Sequence, residues 1–177
     1  AFNYKKPSTL TGVLELLRES GEDSNILAGG QSLMPTLNMR LSAPSLLIDI
    51  NGVDELFGIS VTDNTVRIGS MTRHAELEKS PVISEHIPLI NAAMPYIAHP
   101  AIRNRGTIGG SLALADPAAE LPACLCALRG FVEMTSTSAT RKVEAKDFFR
   151  ALYETDLKAN EIITAIEIPR YDQNYFS

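Results

Sequence analysis

The 177-residue sequence has no excess of basic residues, only two cysteines and three histidines, and no apolar run long enough to span a membrane. Its net charge of -5 argues against a nucleic-acid-binding surface, which needs clustered lysine and arginine. The N-terminus also lacks the hydrophobic core of a signal peptide. We therefore expect a cytoplasmic globular protein that binds small molecules, binds no nucleic acid and has no membrane span.

The few cysteines and histidines limit the chemistry that the chain can perform alone. Cys124 and Cys126 are too close in sequence for an ordinary disulfide and too few for a metal site, so they are predicted to be core residues. Half of an iron or zinc site completed by another chain is the alternative. His74, His86 and His99 lack metal-ligand spacing, and no serine or cysteine is flanked as an activated nucleophile should be. We expect no catalytic residue and no metal ligand, and we expect a bound cofactor to supply the chemistry.

Two glycine-rich turns stand out against this background, Ala28-Gly29-Gly30-Gln31-Ser32 and Thr107-Ile108-Gly109-Gly110-Ser111. Paired glycines let backbone N–H groups approach an anion without obstruction by side chains. Neither turn is a Walker loop or the dinucleotide fingerprint of Rossmann folds. The pair predicts a ligand with two phosphates held from both ends, whereas a tight turn between strand and helix is the alternative for each glycine pair alone.

The periodicity of apolar residues predicts an α+β fold in two lobes. The first is a small βαβ-type lobe over residues 1–52, in which a helix follows Pro7 and ends at Gly21. Strands are expected at 26–28 and 46–50, with Ser32 capping the helix between them.

The second lobe is predicted over residues 53–177 and begins with an antiparallel hairpin at 59–68. Further helices are expected at 74–79, 89–98 and 118–128, and further strands at 131–135, 142–145 and 162–168. In the last strand, Ile162, Thr164, Ile166 and Ile168 are expected on one face.

Charged side chains near the second turn are candidate ligand contacts. Asp116 and Glu120 can accept hydrogen bonds from ribityl or ribose hydroxyls, although Asp116 before Pro117 is equally typical of a helix N-cap. Arg103 and Arg105 can bind a phosphate or a partner's carboxylate, or be ordinary surface residues.

Several of these segments together resemble a known family. Residues 28–35, 68–77, 103–122, 161–163 and 166–169 resemble the FAD-binding medium subunit of molybdenum hydroxylases, the family of xanthine dehydrogenase and carbon monoxide dehydrogenase. The resemblance implies a two-lobed FAD-binding fold that is not of the Rossmann type, with FAD extended between the lobes. It also implies a large molybdopterin subunit and a small iron–sulfur subunit as partners, whose electrons would leave through FAD to an external acceptor.

The resemblance also implies which residues bind FAD. They are Leu27, Ala28, Gly29, Gly30, Gln31, Ser32, Leu33 and Met34 in the first loop, Thr107, Gly109, Gly110 and Ser111 in the second, Asp116 or Glu120 at the sugar chain, and Ile97 and Ile163 beside the flavin.

The chain departs from the family pattern in three ways. Ser111 replaces a frequent asparagine, Leu114 replaces a frequent histidine, and relatives continue for roughly a hundred further residues beyond the point where this chain stops. We expect that this C-terminal domain is either a separate polypeptide or absent, and that the chain, which begins without methionine, is a piece of something longer. Two alternatives follow: a phosphate-ligand binding or scaffolding module without redox function, and a free-standing flavin oxidase.

Overall fold

The computed structural model describes residues 2–170, so the predicted end of the second lobe, including Tyr175, Phe176 and Ser177, lies outside the described residues. The strands are β1 (Asn3–Lys5), β2 (Ser24–Leu27), β3 (Leu46–Asp49), β4 (Ile59–Val61), β5 (Thr65–Gly69), β6 (Phe131–Thr135), β7 (Thr140–Glu144), β8 (Phe149–Ala151), β9 (Glu154–Thr155) and β10 (Ile162–Pro169). The helices are α1 (Leu10–Ser20), α2 (Leu33–Asn38), α3 (His74–Lys79), α4 (Pro81–His86), α5 (Pro88–Ala93), α6 (Pro100–Arg103), α7 (Ile108–Leu114), α8 (Glu120–Ala127) and α9 (Ala145–Phe148).

The N-terminal part is a small parallel sheet covered by α1. Its strand order is β1-β3-β2, and both outer strands pair with β3 in parallel. Helix α1 begins where the Thr9 side chain accepts a hydrogen bond from the N–H of Gly12, and it ends at Gly21, whose φ of 53° suits glycine. These features confirm the predicted first helix and the two predicted parallel strands.

The remainder is built on a five-stranded antiparallel sheet with the order β4-β5-β10-β6-β7. The predicted hairpin is confirmed as β4 and β5. The helix predicted at 89–98 is shorter: α5 ends at Ala93, and a 3-10 turn follows at Met94–Tyr96. Pro95 lies in that turn and cannot donate the backbone hydrogen bond that would continue the α-helix.

Strand β10 corrects one prediction about side-chain direction. Ile163 lies opposite Met134 and Ala165 lies opposite the next residue of β6, Glu133, so Thr164 is an extra residue that forms a β-bulge. The bulge reverses the alternation. The prediction that Ile162, Thr164, Ile166 and Ile168 share one face was therefore wrong: Ile162 packs in one hydrophobic cluster, and Ile163 packs with Ile166 and Ile168 in another.

The buried apolar residues form two separate hydrophobic clusters. The larger lies between the antiparallel sheet and the helices of the second half. The smaller joins Val13 and Ile48 of the N-terminal part to Leu56, Met71 and Ile162, which follow residue 52 in sequence. The division into lobes at residues 1–52 and 53–177 stays a prediction, and the smaller core draws on both sides of it.

The two cysteines differ in their surroundings. Cys124 is buried, whereas Cys126 is exposed, so the prediction that both are core residues was wrong for Cys126. Helix α8 buries Leu121, Cys124 and Leu125, and a residue two positions after Cys124 lies on the opposite face. Burial raises the pKa of both thiols. Among residues 2–170, no three His, Cys, Asp or Glu side chains lie together as a metal site would require.

None of the helices within residues 2–170 combines the length and the apolar character that crossing a bilayer demands.

Candidate cofactor-binding site

A cleft of about 680 Å³ brings the two glycine turns together, and this volume lies in the range usual for small-molecule sites. Most of the residues that were predicted to bind FAD line this cleft: Ala28, Gly29, Gly30, Gln31, Ser32, Leu33, Thr107, Gly109, Gly110, Ser111, Asp116 and Ile163. Leu27, Met34, Ile97 and Glu120 are not among the lining residues. The contact of each nominated residue with a cofactor stays a prediction.

The nominated residues outside the cleft have other surroundings. A Cβ atom on Gly30 would lie 3.2 Å from both Leu27 Cδ1 and Met34 Cγ, so these two side chains flank the first turn. Ile97 packs against the larger hydrophobic cluster, and Glu120 is the first residue of α8.

The first glycine turn, residues 28–32, presents free backbone N–H groups. It connects the end of β2 to the start of α2, and Gly30 has a φ of 73°, a left-handed conformation that favours glycine. Within the described residues, the N–H groups of residues 29–33 donate to no protein acceptor. Ser32 takes the N-cap position, but among the described residues its side chain forms no capping hydrogen bond, so the prediction that it caps α2 was wrong in that respect.

Such a run of unpaired amides at a helix start is suited to an anion. Consecutive N–H groups and the positive end of the helix dipole both stabilise negative charge, and a bare phosphate can approach glycine backbone closely. Gln31 Nε2 donates to the carbonyl oxygen of Gly29 at 3.0 Å, which fixes the orientation of the peptide between Gly29 and Gly30.

The second glycine turn, residues 107–111, uses its amides internally. Thr107 caps α7, because its Oγ1 accepts from the N–H of Gly110 at 3.1 Å. The N–H groups of Ile108, Gly109 and Ser111 donate to the carbonyl oxygens of Thr72, Ser70 and Thr107 at 3.1, 2.8 and 3.1 Å. This turn therefore contributes shape and the Thr107 hydroxyl more than free backbone donors.

The glycines of the second turn permit close packing. A Cβ atom on Gly109 would lie 2.6 Å from Ser70 Cβ, a distance that real contacts do not reach. A Cβ atom on Gly110 would meet Thr107 Oγ1 at 2.9 Å. Gly109 thus packs the turn against the loop that holds Ser70, and Gly110 leaves room for the Thr107 hydroxyl.

The first turn packs against the backbone that immediately precedes the second turn. A Cβ atom on Gly29 would lie 2.3 Å from the carbonyl oxygen of Arg105 and 2.9 Å from Gly106 Cα. Gly29 is therefore required because the backbone before the second turn packs against it, a reason that the sequence did not reveal.

Polar residues that the sequence reasoning did not nominate also line the cleft. His74 and Ser70 are buried there, and within the described residues neither ring nitrogen of His74 nor Ser70 Oγ has a hydrogen-bond partner. Burial lowers the pKa of His74 and outweighs the Thr107 backbone, which raises it. The charges of Arg103 and Arg73 add to the lowering, so the ring is neutral at pH 7. No spacing in the sequence identifies these residues, since only folding brings them to the cleft.

Residues 155–163, the wall segment, form another side of the cleft through Lys158 and Glu161 among others. Arg141 fixes this segment by two hydrogen bonds of 2.7 Å to the Glu161 carboxylate and by a further pair with Asp156. The hydrogen bonds from Arg141 lower the pKa of both carboxyl groups. Because Arg141 is far from Glu161 in sequence, no local pattern signals this arrangement.

The surroundings of Asp116 and Arg103 exclude some of the roles that the sequence left open for them. Asp116 accepts from the N–H of Ala118 at 2.9 Å and lines the cleft, but the N-cap of α8 is Ala119, so the N-cap alternative for Asp116 was wrong. Arg103 is only 8% exposed and binds Glu78, with Nε to Oε2 at 3.0 Å. Arg103 is therefore neither a free phosphate ligand nor an ordinary surface residue, because its charge is already paired with Glu78.

The residues present fit FAD. The unpaired amides of the first turn suit a diphosphate, the Thr107 hydroxyl and Asp116 suit hydroxyl groups of a sugar chain, and Ile163 offers an apolar contact for a ring.

A family model described as the FAD binding domain in molybdopterin dehydrogenase matches residues 1–171. The alpha subunit of the 6-hydroxypseudooxynicotine dehydrogenase complex of Paenarthrobacter nicotinovorans is 45% identical over 170 residues, which are 96% of this chain and 57% of that protein. The nicotine 6-hydroxylase medium subunit of the same organism is 46% identical over 169 residues, 96% of this chain and 59% of that protein.

Solved structures agree with these matches. Carbon monoxide dehydrogenase from Hydrogenophaga pseudoflava superposes with a TM-score of 0.95 and 38% identity over 97% of this chain and 60% of that chain. Quinoline 2-oxidoreductase from Pseudomonas putida 86 gives a TM-score of 0.94 and 40% identity with the same coverage. The chain thus spans less than two thirds of the length of these relatives. It belongs to the family of FAD-binding domains of molybdopterin dehydrogenases.

Proposed function

We propose that this chain binds FAD as the electron-transfer component of a molybdenum-containing hydroxylase or dehydrogenase complex. The observation that carries the proposal is the first glycine turn, where the N–H groups of residues 29–33 are unpaired within the described chain and all five residues line the cleft. In a member of this family, that turn is the best site for the FAD diphosphate.

The chain's own residues would bind and orient the cofactor. The first turn holds the diphosphate, the second turn closes the opposite side through Thr107 and Gly110, and Asp116 accepts from the sugar hydroxyls. Ile163 and the wall segment cover the flavin end and exclude water from it. When bound, FAD supplies redox chemistry that takes electrons from iron–sulfur clusters and passes them to an external acceptor.

The partners in this proposal are a large molybdopterin subunit and a small iron–sulfur subunit in a cytoplasmic hetero-oligomer. Support comes from the relatives, which include a subunit of a dehydrogenase complex and a medium subunit of a hydroxylase. Hydroxylation of the substrate would take place on the large subunit, and this chain would be the exit for electrons.

The visible spectrum of the gently purified protein tests the proposal. We expect oxidised-flavin absorption that bleaches with dithionite and a stoichiometric uptake of added FAD. A colourless protein that takes up no FAD would overturn the proposal and favour a phosphate-binding module. Co-purification with molybdenum and iron–sulfur subunits is expected, whereas redox turnover by the isolated chain with a small-molecule substrate would favour a free-standing flavin oxidase.

A further inference from the structure

Asn51 and Arg73 connect the two glycine turns from outside the cleft. Asn51 Nδ2 donates to the carbonyl oxygen of Ala28 at 2.9 Å, in the first turn. Arg73 donates through one guanidinium nitrogen to Asn51 Oδ1 and through the other to the carbonyl oxygen of Arg105, next to the second turn. Neither side chain is among the residues that line the cleft.

The orientation of the Asn51 amide is determined by its neighbours. The carboxylate of Asp49 accepts from Asn51 Nδ2 at 2.6 Å and from the Asn51 backbone N–H at 2.9 Å, and the hydroxyl of Tyr4 donates to the other carboxylate oxygen. Burial raises the pKa of Asp49, but the hydrogen bonds from Tyr4 and Asn51 outweigh burial and lower it. A flipped amide would face the carboxylate with its oxygen and Arg73 with its NH₂ group, so only the observed orientation satisfies both charges.

The pair of Asn51 and Arg73 affects the first turn, because the C=O and N–H of one trans peptide point in opposite directions. Asn51, which is not among the residues that line the cleft, holds the Ala28 carbonyl, so we place that carbonyl on the side away from the cleft. The N–H of Gly29 in the same peptide then points to the other side. Gln31, which itself lines the cleft, fixes the next peptide by holding the Gly29 carbonyl.

We propose that Asn51 and Arg73 are positioning residues that orient the Gly29 amide and fix the spacing of the two turns for a ligand diphosphate. This inference rests on the proposed placement of the FAD diphosphate at the first turn. A preorganised donor binds more tightly than one that must be ordered during binding, so the pair raises affinity without touching the ligand.

The test compares Asn51→Leu and Arg73→Lys in the full chain, with FAD, ADP and AMP as probes. Each variant is expected to weaken FAD and ADP binding by about tenfold, the effect of one well-placed hydrogen bond to a charged group. The ratio of ADP to AMP affinity is expected to fall, because the pair positions donors for a diphosphate, whereas a purely structural defect would weaken both nucleotides equally. The double variant should be no weaker than the weaker single variant, since the two residues act through one network.

Asn64→Leu, in the exposed turn between β4 and β5, is the matched control and should change each affinity less than twofold. FAD affinity within twofold of the original in either folded variant overturns the inference, as does an unchanged ratio of ADP to AMP affinity. If Asn51→Leu does not unfold cooperatively, Arg73→Lys decides alone. An unsubstituted chain that takes up no FAD overturns the proposed function instead, so the two failures are distinguishable.

Discussion

The first and second glycine turns carry the same Gly-Gly pair but use it differently. In the first, the N–H groups of residues 29–33 are unpaired within the described chain and belong to residues that line the cleft, so the backbone itself is the candidate ligand contact. In the second, the N–H groups of residues 108–111 are bound to protein acceptors. Equal dipeptides therefore do not imply equal function: one turn presents donors and the other sets the shape of the site.

The glycines are also required for different physical reasons. Gly30 has a left-handed φ of 73°. A Cβ atom on Gly29 would clash with neighbouring backbone, and a Cβ atom on Gly109 would clash with Ser70. Substitutions can separate the reasons, because a strained φ, a backbone clash and a lost cap have different costs.

The largest effect is expected for Gly29→Ala. The new Cβ would lie 2.3 Å from the Arg105 carbonyl oxygen, so the two turns must move apart. We expect a loss of stability of about 3 kcal/mol, the upper end for overpacking, together with loss of FAD binding. Urea unfolding and FAD titration measure both. Gly52→Ala is the control, since its Cβ would have ordinary contacts at 3.4 Å or more. Equal stability of the two variants would show that the turns are not in firm contact.

Gly30→Val and Gly110→Val come next and compare the turns directly. Each should reduce FAD affinity by about two orders of magnitude, about 2.7 kcal/mol, because a branched side chain would press on Leu27 and Met34 in the first turn or on Thr107 Oγ1 in the second and so distort the proposed diphosphate site. Gly30→Val should also cost about 1–2 kcal/mol of stability through its left-handed φ. Gly110→Val has no such φ, and its cost should come instead from the new Cβ, which would lie 2.9 Å from Thr107 Oγ1 and disturb the cap of α7. FAD titration alongside thermal unfolding makes the comparison. Retention of FAD by both variants would contradict the site.

Thr107→Val tests the capping role of the second turn. Loss of the Oγ1 acceptor for the Gly110 N–H should cost about 1 kcal/mol of unfolding free energy, and Thr107→Ser should restore most of it. We expect a smaller loss of FAD affinity than for Gly30→Val, because the second turn acts through shape. Equal unfolding curves for the valine and serine variants would show that the cap contributes nothing.

The smallest effect concerns His74, which packs against Gly106 beside the second turn. Its folded-state pKa is below the unfolded value of about 6.5, so the unfolded chain binds more protons, and stability is lost as the pH falls below that value. Between pH 7.5 and 5.5, His74→Phe should lose less unfolding free energy than the unsubstituted chain, and the difference should be below about 1 kcal/mol. His99→Phe, at an exposed position, is the matched control for the substitution itself. A slope that persists in His74→Phe would rule out His74 as its source.

Local sequence patterns predicted the parts of the fold that depend on local interactions. The first helix with its cap and Gly21, the parallel strand at Leu46–Asp49 and the hairpin at β4 and β5 were all confirmed. Predictions that required tertiary information were less successful. The bulge at Thr164 arises from pairing with β6, and the exposure of Cys126 depends on which face of α8 meets the core.

The candidate site divides in the same way. Its glycine turns are contiguous in sequence and could be found there, together with Asp116 and Ile163. His74, Arg141 and the Asn51–Arg73 pair could not be found, because their partners are distant in sequence. The distinction between free and occupied amides also required the structure, since it depends on the carbonyl groups of Ser70 and Thr72.

Strand β10 has a consequence for how the molecule unfolds. Adjacent residues of one strand, Ile162 and Ile163, are anchored in separate hydrophobic clusters, so neither cluster can open without pulling on the other. The parallel and antiparallel sheets should therefore melt in a single cooperative transition, as one folding unit rather than two.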